Sequence, residues 1–240
     1  MNAPTAIPAL PECCTDVVDV VSDVVCPWCY IGKRHLDALI ASLPASEKVL
    51  VRWHPYQLNP IMPPEGEDRQ EYLEEKFGSR ERAAKIYERV SKAGLEAGLN
   101  LDFDRITRMP NTAEAHRLLA WTQAPERKAG VSAHALAESF FAAFFTQGRL
   151  VGDREVLLEI VAAAGGNAAD ARAWLEAEGG QDELREWARR SRAFGINGVP
   201  FFIFNQKLAV SGAQPMHVLK DALEQSREAR QAPSSTSETA

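Results

Sequence analysis

Strand-forming sequence occurs only near the two ends of this 240-residue chain, and that placement limits the folds open to it more than any other feature. Near the start, Val17-Val18-Asp19-Val20-Val21-Ser22-Asp23-Val24-Val25 is dominated by β-branched residues and is almost continuously apolar. Such a run predicts a strand covered on both faces, as in a parallel sheet. A helical pattern through Leu36, Leu39, Ile40 and Leu43 follows and stops at Pro44, and a second strand over 49–54 completes a βαβ unit. Near the other end, Phe201-Phe202-Ile203-Phe204, a turn at Asn205-Gln206 and a partner from Lys207 to Ser211 predict a hairpin. A helix from about Pro215 to Arg227 closes that ββα piece.

From about Glu67 to Phe194 the character is different, with apolar and charged residues recurring at helical spacing. Helices are predicted near 68–78, 80–97, 112–123, 132–147, 153–164, 168–177 and 182–194, punctuated by glycines and prolines. Neither end can bury a core alone. The expected fold class is therefore α/β: one sheet built from both ends, with a large all-helical insertion between the N-terminal βαβ and C-terminal ββα parts. The expected units are a discontinuous sheet domain over 16–66 and 195–228, an inserted helical domain over 67–194, a flexible arm over 1–15 and a Ser/Thr-rich disordered tail over 229–240.

Composition narrows the functional classes. Lys and Arg total 27 against 33 Asp and Glu, a formal charge of −6, which gives no electrostatic reason to expect nucleic acid or an anionic membrane as partner. No stretch approaches a transmembrane span. No Lys or Arg precedes Lys33, and Pro4, Pro8 and Pro11 interrupt the apolar segment near the start, so no secretory signal is expected and the protein is read as cytoplasmic. All four cysteines fall within the first 29 residues: Cys13, Cys14, Cys26 and Cys29. In a reducing compartment, that clustering points to redox or metal chemistry rather than to structural cross-links.

Cys26-Pro27-Trp28-Cys29 lies where the first strand ends and the first helix begins. A thiolate is the attacking species in disulfide exchange. The unpaired N–H groups and dipole at a helix N-terminus favour Cys26 in that form. Pro27 suits the first helical turn, since it needs no N–H there. Cys29, three residues on, lies on the same face and deeper, as a resolving thiol would. Trp28 is expected to be partly exposed beside the sulfurs, as an apolar platform for substrate. The alternative is a zinc site with Cys13 and Cys14, but adjacent cysteines are a poor match to tetrahedral ligation. A second element is Gly198-Val199-Pro200, directly before the last apolar strand. A proline there is tolerated as the first strand residue. It is also where a cis bond would set the Val199 backbone beside the cysteine pair, able to hydrogen-bond a substrate chain.

Together these residues resemble the thioredoxin-fold DsbA family, and within it the FrnE-like branch. The similarity is carried by Ser22 to Gly32 around the CPWC motif, Gln57-Leu58-Asn59-Pro60, Asn111-Thr112 with Ala115-His116-Arg117, Gly198 to Phe202, and Ser211-Gly212-Ala213-Gln214-Pro215. The resemblance covers about residues 16–226. It implies a thioredoxin-like core with a helical insertion and thiol–disulfide oxidoreductase activity. It also implies Cys26 as nucleophile, Cys29 as resolving thiol and Pro200 as a cis-proline. Substrates would be disulfide-containing proteins or small thiols. No cofactor beyond the redox-active disulfide is implied, with glutathione a candidate redox partner. The related 2-hydroxychromene-2-carboxylate isomerases and kappa-class glutathione transferases keep the fold but place a serine at the first active-site position, and a glutathione-dependent isomerase or transferase is the alternative function. A non-enzymatic zinc-binding or chaperone-like module is the other.

Several residues carry weaker signals. Asp23, Asn111 and His116 are candidates to line the cleft, and Asn111 with Glu114 fits a helix start. Cys13 and Cys14 are read as exposed thiols on the arm rather than as an electron shuttle. Phe140, Phe141, Phe144 and Phe145 form a stripe expected to be core packing. Lys33 is expected to be a solvated charge. His35, His54, His134 and His217 show no ligand spacing.

Overall fold

The structure, a computed structural model, describes residues 16–231. Cys13 and Cys14, the arm and most of the expected tail lie outside them. Strand β1 (Asp16–Ser22) pairs in parallel with β2 (Val49–Pro55), and helix α1 (Pro27–Ser42) connects them. Then come a two-residue strand β3 (Glu67–Asp68), helices α2 (Arg69–Phe77) and α3 (Arg80–Glu96), and a partner strand β4 (Arg108–Met109). Helices α4 (Ala113–Gln123), α5 (Ala133–Gln147), α6 (Arg154–Ala163), α7 (Ala168–Glu176) and α8 (Gln181–Ala193) follow. Strands β5 (Phe201–Phe204) and β6 (Leu208–Ser211) and helix α9 (Met216–Gln231) end the described chain. The main sheet has the order β2-β1-β5-β6, with β5 antiparallel to β1, so the two chain ends do build one sheet.

Three expectations need correction. The first strand stops at Ser22 rather than running to Val25. The N–H of Cys26 donates to the Asp23 carbonyl at 3.0 Å, closing a turn whose Val24 and Val25 remain buried, so apolarity outlasts the strand. The short β3–β4 pair stands within a block expected to be all helix. Helix α9 continues to Gln231, past the expected end at Arg227 and into the segment read as tail. The hairpin turn is as expected: Asn205 and Gln206 have φ of 51° and 58°, the left-handed values that match the twist of a tight hairpin.

Side chains alternate across the sheet as period-2 geometry requires. One face carries Val18, Val20, Trp53, Phe202 and Phe204, packed with Leu36 and Leu39 of α1 and Leu219 and Leu223 of α9 in the main core. The aromatic stripe of α5 joins this core: Phe141 stacks on Tyr30 at 5.1 Å between centroids and meets the Trp53 ring edge-on. The opposite face carries Val21 and Phe201, covered by Trp187 of α8 and Ile196. That face also holds a buried carboxylate, Asp19, satisfied by Arg52 and by His54 at 2.6 Å. The outer strand β2 is clasped at Trp53, whose N–H and C=O both bond the Gln123 side-chain amide at 2.8 Å.

Candidate active site

The C-terminal end of β1 delivers the chain into the Asp23–Cys26 turn, and α1 starts immediately beyond it. Cys26 is the N-cap of α1 with extended backbone, and Pro27 occupies the first helical position. The Cys26 side chain makes no capping bond to α1, which leaves its sulfur available for other contacts. Its carbonyl accepts the N–H groups of Cys29 and Tyr30 at 3.0 and 3.3 Å, locking the first turn. Neither thiol is bonded to another sulfur among the described residues. Cys26 is 5% exposed and Cys29 2%, whereas Trp28 between them in sequence is 39% exposed.

The Cys26 thiol donates to the Val199 carbonyl at 3.5 Å, across 173 residues of sequence. The Val199–Pro200 peptide bond is cis. The Pro200 carbonyl accepts the N–H of Gly212 at 2.8 Å, which fixes this loop to the end of β6. Burial pushes the Cys29 thiol well above its usual range, and the neighbouring Cys26 sulfur adds to the effect; Ser22 and the Asp23 backbone oppose it only in part. The two thiols, both buried, therefore differ: one lies at the helix end against a backbone carbonyl, and the other, inside the first turn, is held protonated.

Asp23, three residues before Cys26, is buried. Its carboxylate accepts the Leu58 N–H at 2.7 Å and faces His116 Nε2 of α4 at 3.2 Å, and both side chains are buried. Asn111 accepts the Ala113 N–H at 2.9 Å and donates to the Met62 carbonyl at 2.6 Å, but the N-cap of α4 is Thr112, one residue later than expected, and no side chain caps the helix. Glu114 does not reach back to complete a capping box; it pairs with Arg154 of α6 instead. Asp23 and Asn111 thus pin the 57–62 loop at two points beside the motif, with Leu58 and Ile61 exposed on it. Lys33 contradicts its expectation. Only 4% of its side chain is exposed, and its ammonium bridges Asp37 at 2.8 Å and Glu138 of α5 at 3.0 Å.

Two residues at the ends of the Ser22–Gly32 run were given no role of their own in the sequence. Ser22 stands beside Cys29, and its one signal is being a hydroxyl residue in an apolar run. Gly32 faces Pro200 and Phe202 at close range, and nothing local in the sequence marks that contact. No group of three or more His, Cys, Asp or Glu that could hold a metal ion occurs among the described residues. No helix there is long and apolar enough to cross a membrane.

The chain is similar to known proteins over most of its length. The model of the DSBA-like thioredoxin domain family matches residues 17–224. The uncharacterized protein YwbO of Bacillus subtilis (strain 168) is 25% identical over 211 residues, covering 86% of this chain and 94% of that protein. The crystal structure of the probable DsbA oxidoreductase SCO1869 from Streptomyces coelicolor is 31% identical, with a TM-score of 0.77, covering 91% of this chain and 92% of that one. The cytosolic disulfide reductase DsbM from Pseudomonas aeruginosa shares the fold at 17% identity and a TM-score of 0.57, covering 89% of this chain and 96% of that one.

Proposed function

This chain belongs to the DSBA-like thioredoxin domain family, and from that membership we propose that it is a thiol–disulfide oxidoreductase in which Cys26 attacks and Cys29 resolves. The supporting observation is the asymmetry of the pair: Cys26 at the N-cap of α1 against the Val199 carbonyl, and Cys29 buried one turn below. In the reductive direction, Cys26 loses its proton and attacks one sulfur of a substrate disulfide. A mixed disulfide forms, and the other substrate sulfur leaves as a thiolate that takes a proton. The Cys29 thiol then loses its proton to the medium and attacks the Cys26 sulfur. The second substrate sulfur is released as a thiol and the enzyme holds a disulfide. Two electrons pass from the dithiol to the substrate, and the reverse sequence oxidises a substrate dithiol.

The backbone at Val199 sits where an extended substrate could bond it as an added strand. Trp28, Leu58 and Ile61 supply the uncharged surface around that approach. Disulfide-containing polypeptides and small disulfides both fit the chemistry. The test is reduction of a disulfide substrate by dithiothreitol with catalytic amounts of the protein. Acceleration is expected for the parent and is expected to vanish in Cys26→Ser; equal rates in the two proteins would refute the assignment. Activity that survives Cys29→Ser and requires glutathione would support the isomerase or transferase alternative instead.

A further inference from the structure

We infer that Gly32 is a positioning residue that sets the distance between the Cys26 thiol and the Val199 carbonyl, an inference that rests on the oxidoreductase function proposed above. Cys29, Gly32, Leu36 and Leu39 recur on α1 at helical spacing, and all are buried. Gly32 alone among them has no side chain. A Cβ added there would stand 3.0 Å from Pro200 Cγ, 3.0 Å from Phe202 Cζ and 3.4 Å from Phe202 Cε2. Carbon atoms in good contact lie about 3.5–4.0 Å apart, so the helix and the loop are already as close as a bare backbone allows.

Both neighbours are anchored in the fold. Phe202 is fully buried and pairs with Val20 on one side and Val210 on the other. Pro200 is tied through its carbonyl to Gly212 at 2.8 Å. A side chain at position 32 must therefore lift α1 off the Pro200 loop by a few tenths of an ångström. Cys26 rides on the end of α1, and Val199 is the residue before Pro200. Their sulfur-to-oxygen contact of 3.5 Å is an ordinary length for a weak thiol donor, and a displacement of that size weakens it. Local preference runs the other way, since alanine is favoured over glycine inside a helix. The close approach of Pro200 and Phe202 gives position 32 a reason to lack a side chain.

The consequence is for the redox equilibrium. The S–H···O=C bond exists only while Cys26 carries its proton, so it favours the dithiol over the disulfide. Weakening it shifts the pair toward the disulfide. The experiment equilibrates parent and Gly32→Ala in oxidised and reduced glutathione, where one disulfide of the protein forms as one glutathione disulfide is reduced to two thiols. Alkylation and mass measurement then give the oxidised fraction of the Cys26–Cys29 peptide. Gly32→Ala is expected to favour the disulfide by about two- to fivefold in the equilibrium constant, the range of one weak hydrogen bond. Should that variant fail to fold, Gly32→Ala with Phe202→Leu removes the ring and keeps the Pro200 contact, and the same shift is expected. An equilibrium constant equal to the parent's in a folded variant overturns the inference. A parent pair that never forms a disulfide overturns the oxidoreductase function, and the role of Gly32 with it.

Discussion

Replacing Lys33 by methionine keeps the aliphatic stem and removes one buried charge. The ammonium sits 2.8 Å from Asp37 Oδ2 and 3.0 Å from Glu138 Oε2, linking α1 to α5. Breaking a buried ion pair by deleting one partner costs about 3–5 kcal/mol, because the other charge is left uncompensated. Two features reduce that here. Asp37 and Glu138 are 28% and 29% exposed, so water compensates part of each charge. Each also keeps a second partner: Glu138 has Arg34 at 2.5 Å, and Asp37 has His134 at 2.6 Å. The expected loss is therefore about 2–3 kcal/mol. For a chain of this size, 1 kcal/mol moves the midpoint of thermal unfolding by about 2–4 °C, so Lys33→Met should melt roughly 4–12 °C below the parent. Thermal and urea unfolding followed by circular dichroism measure this directly. The difference should persist in 1 M salt, since partly buried pairs are weakly screened. A Lys33→Met protein within about 0.5 kcal/mol of the parent would show that this charge is solvated and that the bridge to α5 contributes nothing, the ordinary result for a surface substitution.

Three further outcomes are expected. With burial pushing Cys29 up, iodoacetamide at neutral pH should modify Cys26 well before Cys29 in the reduced folded protein, as read by peptide mass; equal labelling would contradict the asymmetry. Phe141→Ala, which removes a fully buried ring stacked on Tyr30, should cost about 3–5 kcal/mol in urea unfolding, and a loss below about 1 kcal/mol would contradict its core role. Stability should also fall in acid in two stages. Burial holds the His54 imidazole below its usual range despite Asp19, so the unfolded chain binds the extra proton first, and stability declines as the pH falls below about 6.5. Burial works to raise Asp19, but hydrogen bonds from His54 and Arg52 outweigh it and hold that carboxyl low. Its contribution is full above about 3.9 and is lost as the pH falls through its lower folded value. His54→Gln should flatten the first stage in a series of urea midpoints against pH; an unchanged slope would assign it to another group.

The parts of the fold visible in the sequence are those that depend on near neighbours in the chain. The β-branched run at Val17–Val25 marked a buried strand, and the glycines and prolines between 94 and 180 marked helix ends closely, because capping and turn chemistry act over a few residues. The CPWC motif was legible for the same reason, with strand, proline and helix all adjacent to it. What stayed hidden depends on partners far away. Lys33 looks like a surface charge until Glu138, 105 residues later, is folded against it. Asp23 and His116 are 93 residues apart in the chain and meet in a buried contact. The β3–β4 pair involves two residues per strand, too few for any periodic pattern. The strand that ends at Ser22 was overextended because burial, which apolarity reports, continues through Val25 after the ladder has stopped.

The division of labour between the two thiols is tested most directly by trapping the mixed disulfide. Cys29→Ser and Cys26→Ser proteins are mixed with a disulfide substrate, quenched in acid and analysed by peptide mass. The Cys29→Ser protein should accumulate substrate on Cys26, with no thiol left to release it, and Cys26→Ser should accumulate almost none in the same time. An adduct forming on Cys29 as fast in Cys26→Ser as on Cys26 in Cys29→Ser would contradict the assignment of nucleophile and resolving thiol.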